Sequence, residues 1–277
     1  MLTDQAIRFI KDSNERPYFL YVAYNAPHGP LQAPEAKIAE FSSIQNTKRR
    51  TYAAMVSAMD DQIGRLLRTL DERGQRDNTL VIFLSDNGGP ENANASDNGP
   101  LRGQKGDVYE GGIHVPFVMR MPGTLPSGTV YSEPVLSIDV SQTSLALAGA
   151  ELVEDPDGVN LFPFVLGQRK TPPHEAIFWR TAKDGKQAVR RGPDKLVVLG
   201  GKSSLFDLAA DLEESIDVAG SNPQVVAEIS QLFQRWNASN KPAIFPGYRD
   251  YHKLLQEFHQ QLKGDAQATD QPKEDQP

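Results

Sequence analysis

The sequence predicts an α/β fold: a partial, mainly parallel sheet with flanking helices, followed by a small antiparallel C-terminal subdomain with a packed helix. Three observations predict it. Two apolar runs, Tyr18–Tyr24 and Thr79–Leu84, have strand length and composition, and each ends in a cluster of turn formers. A long amphipathic stretch lies between them, which gives the order strand–helix–strand. Beyond Gly167, short β-prone segments alternate with turn signals.

The elements follow in order. Residues 3–14 read as a helix, with Ala6, Ile7, Phe9 and Ile10 near helical spacing behind Thr3 or Asp4 as N-cap, and Arg16-Pro17 ends it. Tyr18–Tyr24 is expected to be a strand buried on both faces, stopping at Asn25-Ala26-Pro27-His28-Gly29-Pro30. From Thr47 to Arg73, Tyr52, Met55, Met59, Ile63, Leu66, Leu67 and Leu70 fall on one helical stripe, and Gly74 suits the position just past the end. Thr79–Leu84 is expected to be a second buried strand, ending at Ser85-Asp86-Asn87-Gly88-Gly89. A polar loop rich in Gly and Asn runs to about Gly112. A short strand is predicted at Val115–Met119, and a small helix at Ser141–Ala148 with Asp139 or Ser141 near its cap.

Thr171-Pro172-Pro173 reads as a linker. The segments Ala176–Arg180, Gln187–Arg191, Lys195–Leu199 and Ser204–Leu208 then form a meander pattern, with Asp184-Gly185 and Gly192-Pro193 between the first three. Pro223–Trp236 is an amphipathic helix whose apolar side carries Val226, Ile229, Leu232, Phe233 and Trp236. From Lys263 the chain is polar and expected to be disordered. The expected organisation is thus residues 1–170 as one α/β region, 171–262 as an antiparallel-sheet-plus-helix subdomain, and 263–277 as a tail.

Composition narrows the function. A formal charge of −7 argues against nucleic-acid binding, which wants clustered excess Lys and Arg. The absence of cysteine excludes disulfides, thiolate metal sites and a cysteine nucleophile in this chain. No apolar run reaches the length of about 18 residues that spans a membrane, and residues 1–6 lack the pattern of a signal peptide. The chain opens inside a helix, so a preceding portion is expected.

In parallel sheets ligands bind beyond the carboxyl ends of the strands. That would place the Asn25–Gly29 and Ser85–Gly89 clusters on one rim. Asp86 and Asn87 offer two hard oxygens of the kind that suit Ca²⁺ or Mg²⁺, with Gly88-Gly89 giving room for a ligand. Taken alone, the same residues are better read as a metal-free Asx turn, and two ligands cannot complete such a site by themselves. His28 could act as a general acid or anion ligand, and Lys105, in Leu101-Arg102-Gly103-Gln104-Lys105-Gly106, could aim an ammonium at an oxyanion. Singly, each is better read as a solvated surface residue. Asp60-Asp61 lies on the amphipathic helix and reads as a solvated pair.

Together these segments resemble the sulfatase family, the arylsulfatase-like branch of the alkaline phosphatase superfamily. The resemblance rests on Phe19–Pro30 (FLYVAYNAPHGP), Tyr52–Leu66 (YAAMVSAMDDQIGRL), Leu80–Gly89 (LVIFLSDNGG), Leu101–Pro116 (LRGQKGDVYEGGIHVP) and Leu205–Ala219 (LFDLAADLEESIDVA). It implies a sulfuric ester hydrolase in which Asp86 and Asn87 are one of two pairs of ligands to Ca²⁺ (or Mg²⁺) and Lys105 contacts the sulfate. It also implies that His28 hydrogen-bonds the sulfate or assists the leaving oxygen. The implied substrates are sulfated small molecules or sulfated carbohydrates, and relatives are mostly periplasmic or secreted. His114 departs from the arginine common after Glu-Gly-Gly.

The resemblance further implies a formylglycine nucleophile made within Cys/Ser-x-Pro-x-Arg. Ser132-Glu133-Pro134 approaches that motif, but Leu136 stands where arginine is required. The other metal-binding pair, Asp-Asp, lies upstream in relatives. Sulfate ester cleavage needs an attacking oxygen, charge neutralisation on the sulfuryl oxygens and a proton for the leaving group. A phosphate or phosphonate ester hydrolase of the same superfamily, or a non-catalytic binding module, are the alternative readings. Half a parallel sheet would also leave an apolar face uncovered, so the isolated chain is expected to be loosely folded or aggregation-prone. With the attacking group missing from these residues, the pure chain is expected to release no sulfate from an aryl sulfate, and measurable turnover would contradict this.

Overall fold

The computed structural model describes residues 1–14, 16–151, 156–181, 185–241, 253–257 and 259–260. The chain divides into two compact units. The first comprises Met1–Glu175 together with Leu212–Glu214. The second comprises Ala176–Asp211 and the described residues from Ser215 onward. The expected tail at 263–277 and Asp184 of the expected turn lie outside the described residues.

The first unit is built on three helices, α1 (Leu2–Asp12), α2 (Glu35–Glu40) and α3 (Thr47–Glu72), with α1 and α2 both packed on α3. Neither Thr3 nor Asp4 caps α1, because the helix already starts at Leu2, behind Met1. Thr3 is instead buried, its hydroxyl 2.9 Å from the Tyr24 hydroxyl. Asn46 caps α3 by accepting the Arg49 amide at 3.0 Å. At the other end Gly74, with φ of 68°, lets Gln75 donate to the Leu70 carbonyl and Gly74 to that of Asp71. Along the stripe Met55 and Leu70 are fully buried and Tyr52, Met59, Ile63, Leu66 and Leu67 are half-buried. Asp61 pairs with Lys37 at 2.7 Å on the surface, as its solvated position predicts.

The expected mainly parallel sheet is absent among the described residues. β1 (Val81–Leu84) pairs antiparallel with β2 (Phe117–Arg120), with Val81 opposite Arg120 and Leu84 opposite Phe117. Tyr18–Tyr24 runs extended without joining a ladder among the described residues. Nor is it buried on both faces: Phe19 and Tyr21 are 70% and 79% exposed, while Tyr18, Leu20, Val22 and Tyr24 are half-buried. The half-buried side is held by side chains. Tyr18 donates to Gln75 Oε1 at 3.0 Å and meets Phe9 edge-on, and Tyr24 meets Thr3. β1 likewise buries neither face fully, since Phe83 stands exposed opposite exposed Val118. Burial on both faces requires neighbours on both edges and cover on both sides, and these runs have one cover each.

The rest of the unit contains the short α4 (Glu91–Asn94) and α5 (Glu110–Ile113), then α6 (Asp139–Leu147) and α7 (Phe162–Val165). Asp139, fully buried, accepts the Leu136 and Val159 amides at 2.7 and 2.9 Å and lies 3.0 Å from His174 Nε2. It therefore stitches the start of α6 to the chain ahead of α7.

The second unit matches its sequence pattern closely. β3 (Ile177–Arg180), β4 (Gln187–Arg191), β5 (Asp194–Leu199) and β6 (Lys202–Asp207) form an antiparallel meander in chain order. α8 (Pro223–Ser239) packs on β4 and β5. Val189, Leu196 and Leu205 from the sheet meet Ile229 and Phe233 from the helix, and Trp236 stacks on Phe178 at 4.9 Å. The Asp217 carboxylate accepts the Ala219 and Leu205 amides at 3.0 and 3.1 Å. Those bonds, the one from Ala219 foremost, hold its carboxyl below the usual range. Because Ile229 is fully buried at the centre of this core, Ile229→Ala is expected to lower unfolding stability by about 2–5 kcal/mol in urea titrations. A change under about 0.5 kcal/mol would show that α8 does not supply the core.

Candidate active site

Three loops carry the residues of interest. The turn after the extended run holds His28, the turn after β1 holds Asp86 and Asn87, and the segment before α5 holds Lys105. His28, Asp86 and Lys105 are exposed, and Asn87 is half-buried. Each is therefore placed to meet a solute.

In the turn after β1, Ser85 Oγ donates to the Asn87 carbonyl at 3.0 Å, and Asn87 Nδ2 donates to the Gly88 carbonyl at 2.9 Å. Committing the amide nitrogen inward leaves Oδ1 as the group Asn87 can offer a cation. Asp86 adds a carboxylate beside it. A hard cation takes about six to eight oxygens, and among the described residues no group of three or more His, Asp or Glu side chains could hold a metal. The donor types fit a hard cation such as Ca²⁺ or Mg²⁺, for which Asp86 and Asn87 would be two of the ligands.

Backbone bonds tie this turn to the Lys105 loop. The Gly88 amide donates to the Gly112 carbonyl at 3.0 Å, and the Gly111 amide donates to that of Arg102 at 2.7 Å. Asn98 bridges the two loops as well. It accepts the Gly89 amide at 2.8 Å and donates Nδ2 to the carbonyls of Gly89 and Gly103 at 2.8 and 3.2 Å. Such approaches leave no space for side chains: a Cβ on Gly88 would lie 1.7 Å from the Gly111 carbonyl oxygen, and one on Gly111 2.3 Å from that of Gly103. Around Lys105 the loop closes on itself, with the Asp107 amide on the Gln104 carbonyl and Asp107 Oδ2 accepting the Gln104 amide.

The structure thus joins the turn that carries Asp86 and Asn87 to the loop that carries Lys105 through hydrogen bonds. His28 stands differently. Its amide donates to the Asn25 carbonyl at 2.8 Å and its Nδ1 lies 2.8 Å from the Gly29 carbonyl, bonds within its own turn. The shared rim expected from a parallel sheet has no ladder behind it, since β1 pairs with β2 and not with the run that precedes His28.

Sequence reasoning passed over Asn98, Glu110 and Glu214. Glu110 is 2% exposed, and its Oε2 lies 2.9 Å from His114 Nδ1, which gives the unusual histidine a partner. Glu214, fully buried, accepts the Glu110 amide at 2.7 Å. Both glutamates fall inside the segments that carry the family resemblance, which was the available signal.

Comparisons with known proteins identify the family. Residues 1–150 match the model of the Sulfatase family, and residues 104–237 match the model described as N-sulphoglucosamine sulphohydrolase, C-terminal. Mouse Arylsulfatase J is 30% identical over 281 residues, covering 83% of this chain and 47% of its own length. Mouse Steryl-sulfatase is 36% identical over 186 residues, covering 64% of this chain and 29% of its own. The crystal structure of Ps i-CgsB in complex with k-i-k-neocarrahexaose superimposes with a TM-score of 0.84 at 35% identity, covering 90% of this chain and 57% of that one. The chain spans about half the length of Arylsulfatase J and Ps i-CgsB.

The glycine contact yields a direct test. Gly88→Ala forces its methyl into the Gly111 carbonyl, so the expected loss is at least about 2 kcal/mol of stability, with chemical-shift changes at Gly111 and Gly112. Near-wild-type melting and spectra would show that the two loops are not held in contact.

Proposed function

Because the chain belongs to the sulfatase family, we propose that it carries the cation- and anion-binding part of a sulfate ester hydrolase site. The observation that carries this reading is the backbone framework joining the Asp86-Asn87 turn to the Lys105 loop through Gly88, Asn98 and Gly112. It holds two hard oxygens and an ammonium on loops fixed to one another, as an ester anion and its neutralising cation require.

In the proposed reaction Lys105 binds the sulfuryl oxygens and offsets the charge that concentrates on them. Protonated His28 gives its proton to the leaving oxygen as the sulfur–oxygen bond breaks, so an alcohol departs. Asp86 and Asn87 Oδ1 would hold Ca²⁺ or Mg²⁺, which supplies Lewis-acid polarisation when bound. The attacking oxygen, a formylglycine hydrate by family analogy, comes from outside these residues. Sulfated carbohydrates are the proposed substrate class. Support comes from the match to an N-sulphoglucosamine sulphohydrolase region and the carbohydrate bound to Ps i-CgsB.

Binding tests this without requiring turnover. In an isotope-labelled chain, Ca²⁺ is expected to shift the Asp86 and Asn87 amides with a midpoint of about millimolar, since part of the coordination is present. Inorganic sulfate is expected to shift the Lys105 amide, and Lys105→Ala to weaken that response about tenfold or more. Asp86→Ala should abolish the Ca²⁺ response. A Ca²⁺ midpoint untouched by Asp86→Ala would remove the cation assignment. Phosphate binding at Lys105 about tenfold tighter than sulfate would move the reading to a phosphate or phosphonate ester hydrolase.

A further inference from the structure

We propose that Glu214 is a positioning residue for the site: its carboxylate fixes the Glu110–Gly112 turn, and through it the placing of Lys105 and of the Asp86-Asn87 pair. The inference rests on the reading of those three residues as an anion and cation site.

Glu214 is fully buried and has a φ of 54°, a left-handed backbone that side-chain-bearing residues avoid. A carboxyl side chain that is buried, on a backbone such residues avoid, calls for a compensating role. Its contacts supply one. Oε2 accepts the Glu110 amide at 2.7 Å, and its own carbonyl accepts Arg102 Nη1 at 2.8 Å. The Arg102 guanidinium lies over the Tyr109 ring at 4.1 Å, so the residue at the head of the Lys105 loop is fixed at its tip. From Arg102 the framework runs on: its carbonyl holds the Gly111 amide, and the Gly112 carbonyl holds the Gly88 amide, two residues past Asp86. One residue therefore grips the Lys105 segment at both ends, at Glu110 by its carboxylate and at Arg102 by its backbone carbonyl. Leu212–Glu214 belongs to the first unit although the chain on both sides of it belongs to the second. A three-residue insertion of this kind delivers a contact that the local sequence of either loop does not provide.

A purely structural carboxylate would lower stability when removed and do no more. A positioning carboxylate also changes the anion response at a temperature where the fold is intact, and it is rescued by a side chain that keeps an acceptor oxygen. Three variants separate the two: Glu214→Ala removes the acceptor, Glu214→Gln retains it, and Glu214→Asp draws it back by one methylene. Amide exchange is followed at Glu110 and Gly88, with Ala54 in the α3 core as reference, and inorganic sulfate is titrated against the Lys105 amide shift. In Glu214→Ala, exchange at Glu110 and Gly88 is expected to rise about tenfold, with Ala54 unchanged, and the sulfate midpoint to weaken about tenfold. In Glu214→Gln both readouts are expected to stay within about threefold of the unaltered chain. Should Glu214→Ala lose the fold, Glu214→Asp takes its place with the same expectations. Unchanged exchange and an unchanged sulfate midpoint in the folded acceptor-deficient variant would overturn the proposal. So would a Glu214→Gln variant as impaired as Glu214→Ala. A chain in which sulfate never shifts Lys105, and in which Lys105→Ala changes nothing, counts against the anion site itself. The exchange arm then decides alone whether Glu214 holds the two loops.

Discussion

The contact between Gly88 and the Gly111-Gly112 peptide is the constraint on which the candidate site depends. Here two loops approach closely enough that a single methyl group would occupy the position of a carbonyl oxygen. Glycine at these positions allows backbone amides and carbonyls to meet directly, and those bonds then do the work that apolar side chains do elsewhere. The Asp86-Asn87 turn and the Lys105 loop consequently share one polar scaffold, with Asn98 as a side-chain bridge between them.

This arrangement separates two demands that conflict in a charged site. The groups that would meet a ligand, Asp86, Lys105 and His28, are exposed and keep their hydration. The carboxyl groups that are buried, on Glu110 and Glu214, meet an imidazole and a backbone amide. Rigidity thus comes from the interior while the polar groups that could meet a ligand stay at the surface, so the desolvation penalty falls on the buried pair. His28 stands apart because its turn is closed by its own backbone.

The sequence made some of this legible and hid the rest for physical reasons. α3 announces itself by its stripe and Gly74, because helix formation and termination depend on neighbours three and four residues away. The meander β3–β6 is legible for the same reason, since turn residues sit between its strands. Tyr18–Tyr24 misled, because an apolar run reports a capacity for burial and not which neighbours will cover it. Phe19 and Tyr21 face outward although nothing in their composition says so. The direction of β1's partner was equally invisible, for pairing is decided by the whole sheet. Of the site, Asp86, Asn87 and Lys105 were legible through motifs, whereas Glu214 meets Glu110 across a sequence separation of 104 residues. No periodicity reaches that far.

The interleaving of the two units at Leu212–Glu214 bears on how this architecture can be dissected and how it can diversify. A cut after Glu175 looks like a natural boundary, yet the piece it releases would keep Arg102, Tyr109 and Glu110 and lose the carboxylate and carbonyl that grip them. The same holds for recombination between related genes. A crossover in the linker would pair the loops of one parent with the clasp of another.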